Sequence, residues 1–326
     1  MTTAFFSDYK NGNAEEFKRF LPVNVTTSYK TLLPAIVTAE MKVAEIIGKK
    51  CFDKIAEYYK SGSDDKGINE VVELLQFAII RMAYYDSFDM LSVVMSDSGM
   101  YDGNGENRVY RYQSDALRES LHRQCYEFID RIVEKLEGML NVFPEFISSP
   151  CYTLSSESII ANSREFRNAA KIDCDYRLLV ALRPYISNCE NIELPFRIGK
   201  ALADRLYNAK NDGCFAKILP AVRAFVCYKA IADSIEIVGL QLSHNGWLRK
   251  TEITYDGKYN KKPDGTEIQR LKASYANTAE NLISMIVSYF KANKDVFPEI
   301  NEIGGDDASE HGADFMDLTN RKIMKL

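Results

Sequence analysis

His122 and Cys125 stand three residues apart in the stretch HRQC, and a thiol beside an imidazole is a pairing that nucleophilic catalysis uses. Such a pair also needs alignment for attack and an oxyanion hole. The chain carries the signature of neither, so both residues read as packing positions on a helix. YDGNGEN, residues 101–107, contains a G-x-G. It lacks the third glycine and the strand-to-helix setting of a dinucleotide site, and reads as a turn. Carboxylates cluster in DDKG at 64–67 and in GGDDASEHGAD at 304–314, without the alternating ligands and closing Glu of a calcium loop, and read as solvated acidic patches. The seven cysteines include no C-x-x-C and the three histidines add no ligand spacing, which favours reduced core thiols over a disulfide framework or a zinc site. No catalytic residue, cofactor or metal is expected, and the chain does not read as an enzyme.

Asp86 and Asp233 are the most informative carboxylates, because they occupy matching places in two similar stretches. YYDSFDMLSVVMSDSGM (84–100) and IADSIEIVGLQLSHNGW (231–247) align without a gap at a shift of 147, pairing Asp86 with Asp233, Ser87 with Ser234, Ser96 with Ser243 and Gly99 with Gly246. A carboxylate late in an apolar helix needs a partner, and the expected role is structural: holding the helix against the loop beyond it. Gly99 and Gly246 suit positions of positive φ. Trp247, the only tryptophan, is either a buried anchor or a contact residue for a partner.

Other landmarks recur in the same order. An early Pro and IGK (Ile47–Lys49) return as Pro184 and Ile198–Lys200, and VFPEF at 142–146 returns as VFPEI at 296–300. This ordered recurrence predicts a tandem duplication of helical units over 28–146 and 176–300, with an N-terminal arm at 1–27, a connector at 147–175 and a tail at 301–326. The arm, connector and tail read as extended or mobile segments.

Within each unit the apolar spacing is helical. Leu33, Ile36, Val37, Met41, Ala44, Ile47 and Cys51 form one stripe that can break at Gly48. Residues 68–95 and 215–242 predict a central, largely buried helix, with Pro220 suited to a first turn, and 114–141 and 268–293 predict the last helix. Between central and last helix, Asp102-Gly103, Asp256-Gly257 and Asp264-Gly265 mark a loop or short β-hairpin, seven residues longer in the second unit. The expected fold class is mainly α: two duplicated helix bundles, each with such an excursion, plus extended termini.

Composition narrows the partners. The hydrophobic fraction of 46% in 326 residues supplies sizeable cores. A net charge of −5 without a basic region excludes the footprint of sequence-specific nucleic-acid binding. No signal peptide is read, and charges interrupt every apolar run before the length a membrane span needs, so synthesis in the cytoplasm and no membrane contact are expected.

The helical plan of each half, with an IG that opens IG..L...L in the second, an S..G and a closing FPE, resembles an uncharacterised family of Bacteroidetes phages and prophages, and is similar to the head–tail connector (adaptor) proteins of tailed phages. That resemblance implies a virion protein that forms a homo-oligomeric ring at the portal–tail junction, with portal and tail proteins as partners. It brings no catalytic residues. Such connectors are usually a single unit of this size, whereas two are fused here. A second class keeps the fold and drops the virion: an intracellular helical scaffold holding a protein or peptide between its repeats. A third, an enzyme with a cleft near Asp86 and Asp233, needs a pocket with converging polar groups.

Overall fold

A computed structural model describes residues 3–6, 15–20, 29–91, 93–96, 99–102, 111–208, 213–236, 240–242, 248–250 and 265–300. The chain divides into two compact units, one of residues 1–157 with 175–177 and the other of 158–174 with 178–326. Each has its own hydrophobic core.

The first unit runs through α1 (Glu15–Lys18), α2 (Tyr29–Ile47), α3 (Lys49–Ser61), α4 (Lys66–Asp86), α5 (Phe88–Leu91), the strands β1 (Val93–Ser96) and β2 (Gly99–Asp102), α6 (Arg111–Glu137), a 3-10 turn at Pro144–Ser148 and α7 (Pro150–Ser156). In α2 the buried Leu32, Ile36, Ala39, Val43 and Ile47 recur at three and four residues and turn one face inward. Central helix α4 starts where Asp65 Oδ1 accepts the N–H groups of Gly67 (2.7 Å) and Ile68 (3.3 Å). It buries Val71, Leu75, Ala78, Ile79 and Ala83 against α2 and α6. The acidic DDKG stretch is therefore, in part, a helix cap.

The second unit repeats the plan with α8 (Ser163–Ala170), α9 (Tyr176–Asn188), a π turn at Cys189–Glu193, α10 (Leu194–Ile198), α11 (Lys200–Asn208), α12 (Leu219–Ser234), β3 (Leu240–Leu242), β4 (Leu248–Lys250) and α13 (Gly265–Ala292). Pro220 sits in the first turn of α12, where its missing N–H costs nothing. At a shift of 154 the buried Cys125, Ile129, Ile132 and Leu136 of α6 correspond to the buried Ala279, Ile283, Ile286 and Phe290 of α13. Both excursions are antiparallel hairpins, pairing Val93 with Asp102 and Ser96 with Gly99 in one, Leu240 with Lys250 and Leu242 with Leu248 in the other.

IGK is repeated because its glycine ends one helix and begins the next. Gly48 (φ 84°, ψ 132°) separates α2 from α3 and Gly199 (φ 85°, ψ 144°) separates α10 from α11. Positive φ favours glycine at both. At Gly48 an added Cβ would also lie 3.0 Å from Ser149 Cβ.

VFPE is a closing latch. Phe143 and Phe297 are fully buried, and the N–H groups of Val142 and Phe143 bond to Met139 O as those of Val296 and Phe297 bond to Asn293 O. The following glutamate of the second copy, Glu299, is held by Arg205 at 2.9 Å.

Two segments pack more than expected. In the described parts of the N-terminal arm, Phe5, Phe6, Phe17 and Phe20 are buried in the first core. The connector is not a loose linker, since it carries α7 and α8 and buries Cys151, Ile159, Ile160 and Phe166. Helices this short rest on their caps, Ser149 Oγ accepting from Tyr152 N and Asn162 Oδ1 from Glu165 N, rather than on a periodic stripe. The compact units are consequently larger than 28–146 and 176–300. The tail, 301–326, lies outside the described residues.

Candidate functional site

The sequence-predicted residues fall at matched places but not into one cluster. Asp86 ends α4 and its Oδ2 accepts from Lys42 Nζ on α2 at 2.7 Å, while Asp233 near the end of α12 accepts from Lys229 Nζ at 3.2 Å. Among the described residues, Asp86 thus ties α4 to α2 and Asp233 is held from its own helix. Both are partly exposed and each has a lysine. The neighbouring serines differ: Ser87 caps α4 through its backbone N–H to Ala83 O, whereas the Ser234 hydroxyl donates to Ile231 O. Gly99 opens β2 opposite Ser96. Gly246 and Trp247 lie outside the described residues, as do 103–107 of YDGNGEN and all of 304–314.

His122 and Cys125 do not form a catalytic pair. The Cys125 thiol donates to the backbone oxygen of His122 at 3.2 Å, and burial pushes that thiol well up. The His122 ring lies between Tyr85 (4.4 Å) and Tyr126 (5.1 Å), with Nε2 3.1 Å from Arg177 Nη1. Burial first, then Arg177, brings its pKa down to about 4, so the guanidinium donates to a neutral imidazole. Burial likewise raises the thiols of Cys51, to about 12, and of Cys189 and Cys227, which keeps them protonated at neutral pH. Among the described residues no group of His, Cys, Asp or Glu is arranged to hold a metal ion. No helix of the described residues is long and apolar enough to cross a membrane.

The most developed polar constellation is one the sequence reading missed, and it occurs twice. In the first unit a strap, Thr3–Phe6 with Glu15–Phe20, crosses α2 and α4. Buried Glu40 on α2 accepts the strap N–H groups of Ala4 (2.8 Å) and Phe5 (3.3 Å) through one oxygen. Gln76 on α4 donates to Phe5 O (2.8 Å) and to Glu16 Oε1 (2.9 Å). One turn and a half further on, Arg81 donates to Phe20 O at 2.6 Å while its guanidinium lies over the rings of Phe77 and Phe128.

In the second unit the strap is 158–170. Buried Glu190 accepts from Ile159 N (2.8 Å), Ile160 N (3.4 Å) and Ser158 Oγ (2.9 Å). Arg223 on α12 donates to Ile159 O (3.2 Å) and pairs with Glu165 at 2.6 Å. Tyr228 donates to Ala170 O at 2.8 Å. Gln76 and Arg223, and Arg81 and Tyr228, are related by the same 147-residue shift that relates Asp86 to Asp233. Glu16-Phe17 and Glu165-Phe166 are the corresponding strap residues, each with its phenylalanine fully buried. The recurrence of EFK (16–18) as EFR (165–167) was the available signal.

Two stretches of the chain, residues 43–156 and 197–307, match the model of a family of unknown function (DUF6712). The chain belongs to this family. No curated protein and no solved structure matches it. One DUF6712 unit therefore spans the IGK break, central helix, hairpin, last helix and VFPE latch, and this chain holds it twice, which establishes the internal duplication. Both straps lie outside the DUF6712 matches, yet each packs into the unit whose helices hold it. Chemically, the clasps bind and orient backbone. They present no activated nucleophile, and both glutamates have carboxyl groups whose pKa burial raises, Glu40 to about 7.

Proposed function

We propose that this chain is a structural protein of a tailed-phage virion, a head–tail connector that forms a homo-oligomeric ring at the portal–tail junction and meets portal and tail proteins, with no catalytic role. The observation that carries the reading is the duplication itself: two DUF6712 units, each projecting a hairpin between its central and last helix. Two similar units in one chain present related faces head to tail, and heterologous contacts of that kind close into rings. The helical plan of each half, which is similar to that of connector proteins, supports the same reading. A connector requires shape and interfaces more than reactive groups. The polar clusters of both units, which hold strap backbone and pair charges between helices, suit that demand.

Mass photometry of the purified chain across a concentration series, followed by negative-stain imaging, tests the proposal. The expected result is a closed ring of one dominant stoichiometry. A chain that stays monomeric at every concentration, alone and mixed with purified portal rings, overturns it and moves the reading to a helical scaffold for a protein or peptide partner.

A further inference from the structure

The second unit turns outward a helix face that lacks the charges its counterpart in the first unit carries. Helical backbone continues from α9 through the π turn into α10, and along it Val180, Pro184, Asn188, Ile192 and Phe196 follow at four-residue spacing, all exposed. With Ser187 and Asn191 they are the exposed residues between 178 and 198, and all are uncharged. Phe196 is 63% exposed, and Val180 and Ile192 are 42% exposed. Aligned on Pro34 with Pro184 and on Gly48 with Gly199, the first unit has exposed Lys30 and Glu45 at the places of Val180 and Phe196.

The adjoining helix shows the same contrast. Arg197 donates to Glu280 at 2.6 Å and joins α10 to α13, whose exposed Asn281, Ser284, Met285 and Ser288 stand where α6 has Glu127, Asp130, Arg131 and Glu134. The hydroxyls of Ser284 and Ser288 donate to Glu280 O and Ser284 O at 2.8 Å, so covering them leaves no hydroxyl donor unsatisfied. Such a surface loses little when water leaves it, and Phe196 is a side chain of the kind that anchors interfaces.

Charge argues for what covers it. The first unit holds 18 Lys and Arg against 25 Asp and Glu, whereas the second holds 20 against 15 up to residue 300, and 23 against 21 with 301–326 included. Opposite signs favour a second unit meeting a first unit over either meeting its own kind. The first unit also exposes an uncharged apolar counterpart. Ile147 on the 3-10 turn and Leu154 on α7 are 49% and 42% exposed, and the exposed residues from Pro144 to Ser156 are all uncharged.

We propose that the row Val180–Phe196 docks the first unit of a neighbouring copy of this chain, head to tail, at the surface of Ile147 and Leu154. The proposal rests on the ring reading and names the contact through which the ring closes.

Photocrosslinking from p-benzoylphenylalanine in place of Phe196, in the full-length chain across a concentration series, tests it. The expected product is a covalent dimer whose joined peptide comes from 144–156 of the other copy. In mass photometry Phe196→Glu, which gives the row the first unit's residue, is expected to move assembly to at least about tenfold higher concentration. Should that variant not fold, Val180→Lys takes its place with the same expectation. Assembly unchanged in whichever variant folds, or crosslinks that land outside 144–156, overturns the docking and leaves the ring reading standing. A parent chain that stays monomeric, alone and mixed with purified portal rings, overturns both.

Discussion

The two units solve one packing problem with different electrostatics. In each, a segment that precedes the first long helix is pinned across the central helix by a buried glutamate below and a polar side chain above. The first unit uses Gln76 and Arg81 above, the second Arg223 and Tyr228, with Arg183 added. The geometry survives exchange of every partner except the glutamate. What the fold conserves internally is thus the satisfaction of strap N–H and C=O groups, for which any donor of suitable reach serves. What varies is the set of donors around the strap, an amide and a guanidinium in one unit, two guanidinium groups and a phenol in the other.

The largest expected effect tests whether the units are independent. Phe143→Ala and Phe297→Ala each remove a fully buried ring from a different latch, and each should cost roughly 3–5 kcal/mol. In urea titrations the two variants should shift different transitions. A single transition shifted equally by both shows that the units unfold as one.

Next comes the carboxyl of Glu40. Its folded value is raised, so the folded chain binds more protons than the unfolded chain between about pH 4.5 and 7, and stability falls as pH rises through that window. The contribution is about 3 kcal/mol at most, one pKa unit being about 1.4 kcal/mol. Glu40→Gln should flatten this part of the stability profile of the first unit, and an unaltered slope shows that another group titrates there.

Arg223→Gln gives the second clasp the residue type that the first has at this position. It breaks the pair with half-buried Glu165, and a loss of roughly 2 kcal/mol is expected in the second unit alone, read from the same urea curves. A neutral result shows that the guanidinium adds only charge balance. The smallest effect belongs to exposed pairs such as Lys135–Glu70 and Lys272–Glu236, whose replacement by alanine should change stability by less than about 1 kcal/mol.

How far the sequence led depended on the length over which each pattern persists. Long stripes such as those of α2, α6 and α13 announce themselves, and the constant shifts of 147 and 154 reveal the duplication and both hairpins. The straps escaped because α1 and α8 span four and eight residues, too short for periodicity to register. Phe5-Phe6 and Phe17 also read as scattered aromatics until tertiary contact gathers them. Glu40 and Glu190 escaped for a different reason. They occupy the apolar face of their helices, where Ala39 and Val43 or Cys189 and Leu194 define the stripe, and a charged residue there looks like an interruption rather than a ligand for another segment's backbone. Asp86 and Asp233 were visible because sequence alone aligns them, although their lysine partners come from different helices.

The π turn at Cys189–Glu193 lies where the two copies differ in length by one residue. Glu190 is one residue further from Gly199 than Glu40 is from Gly48, and the wide turn takes up that residue so that both the glutamate and the glycine keep their places. A single codon inserted after the duplication would leave this trace, absorbed locally instead of rotating every later side chain by a third of a turn. The second unit is accordingly the copy expected to tolerate a one-residue deletion at Asn191, which would give it the spacing its sibling has.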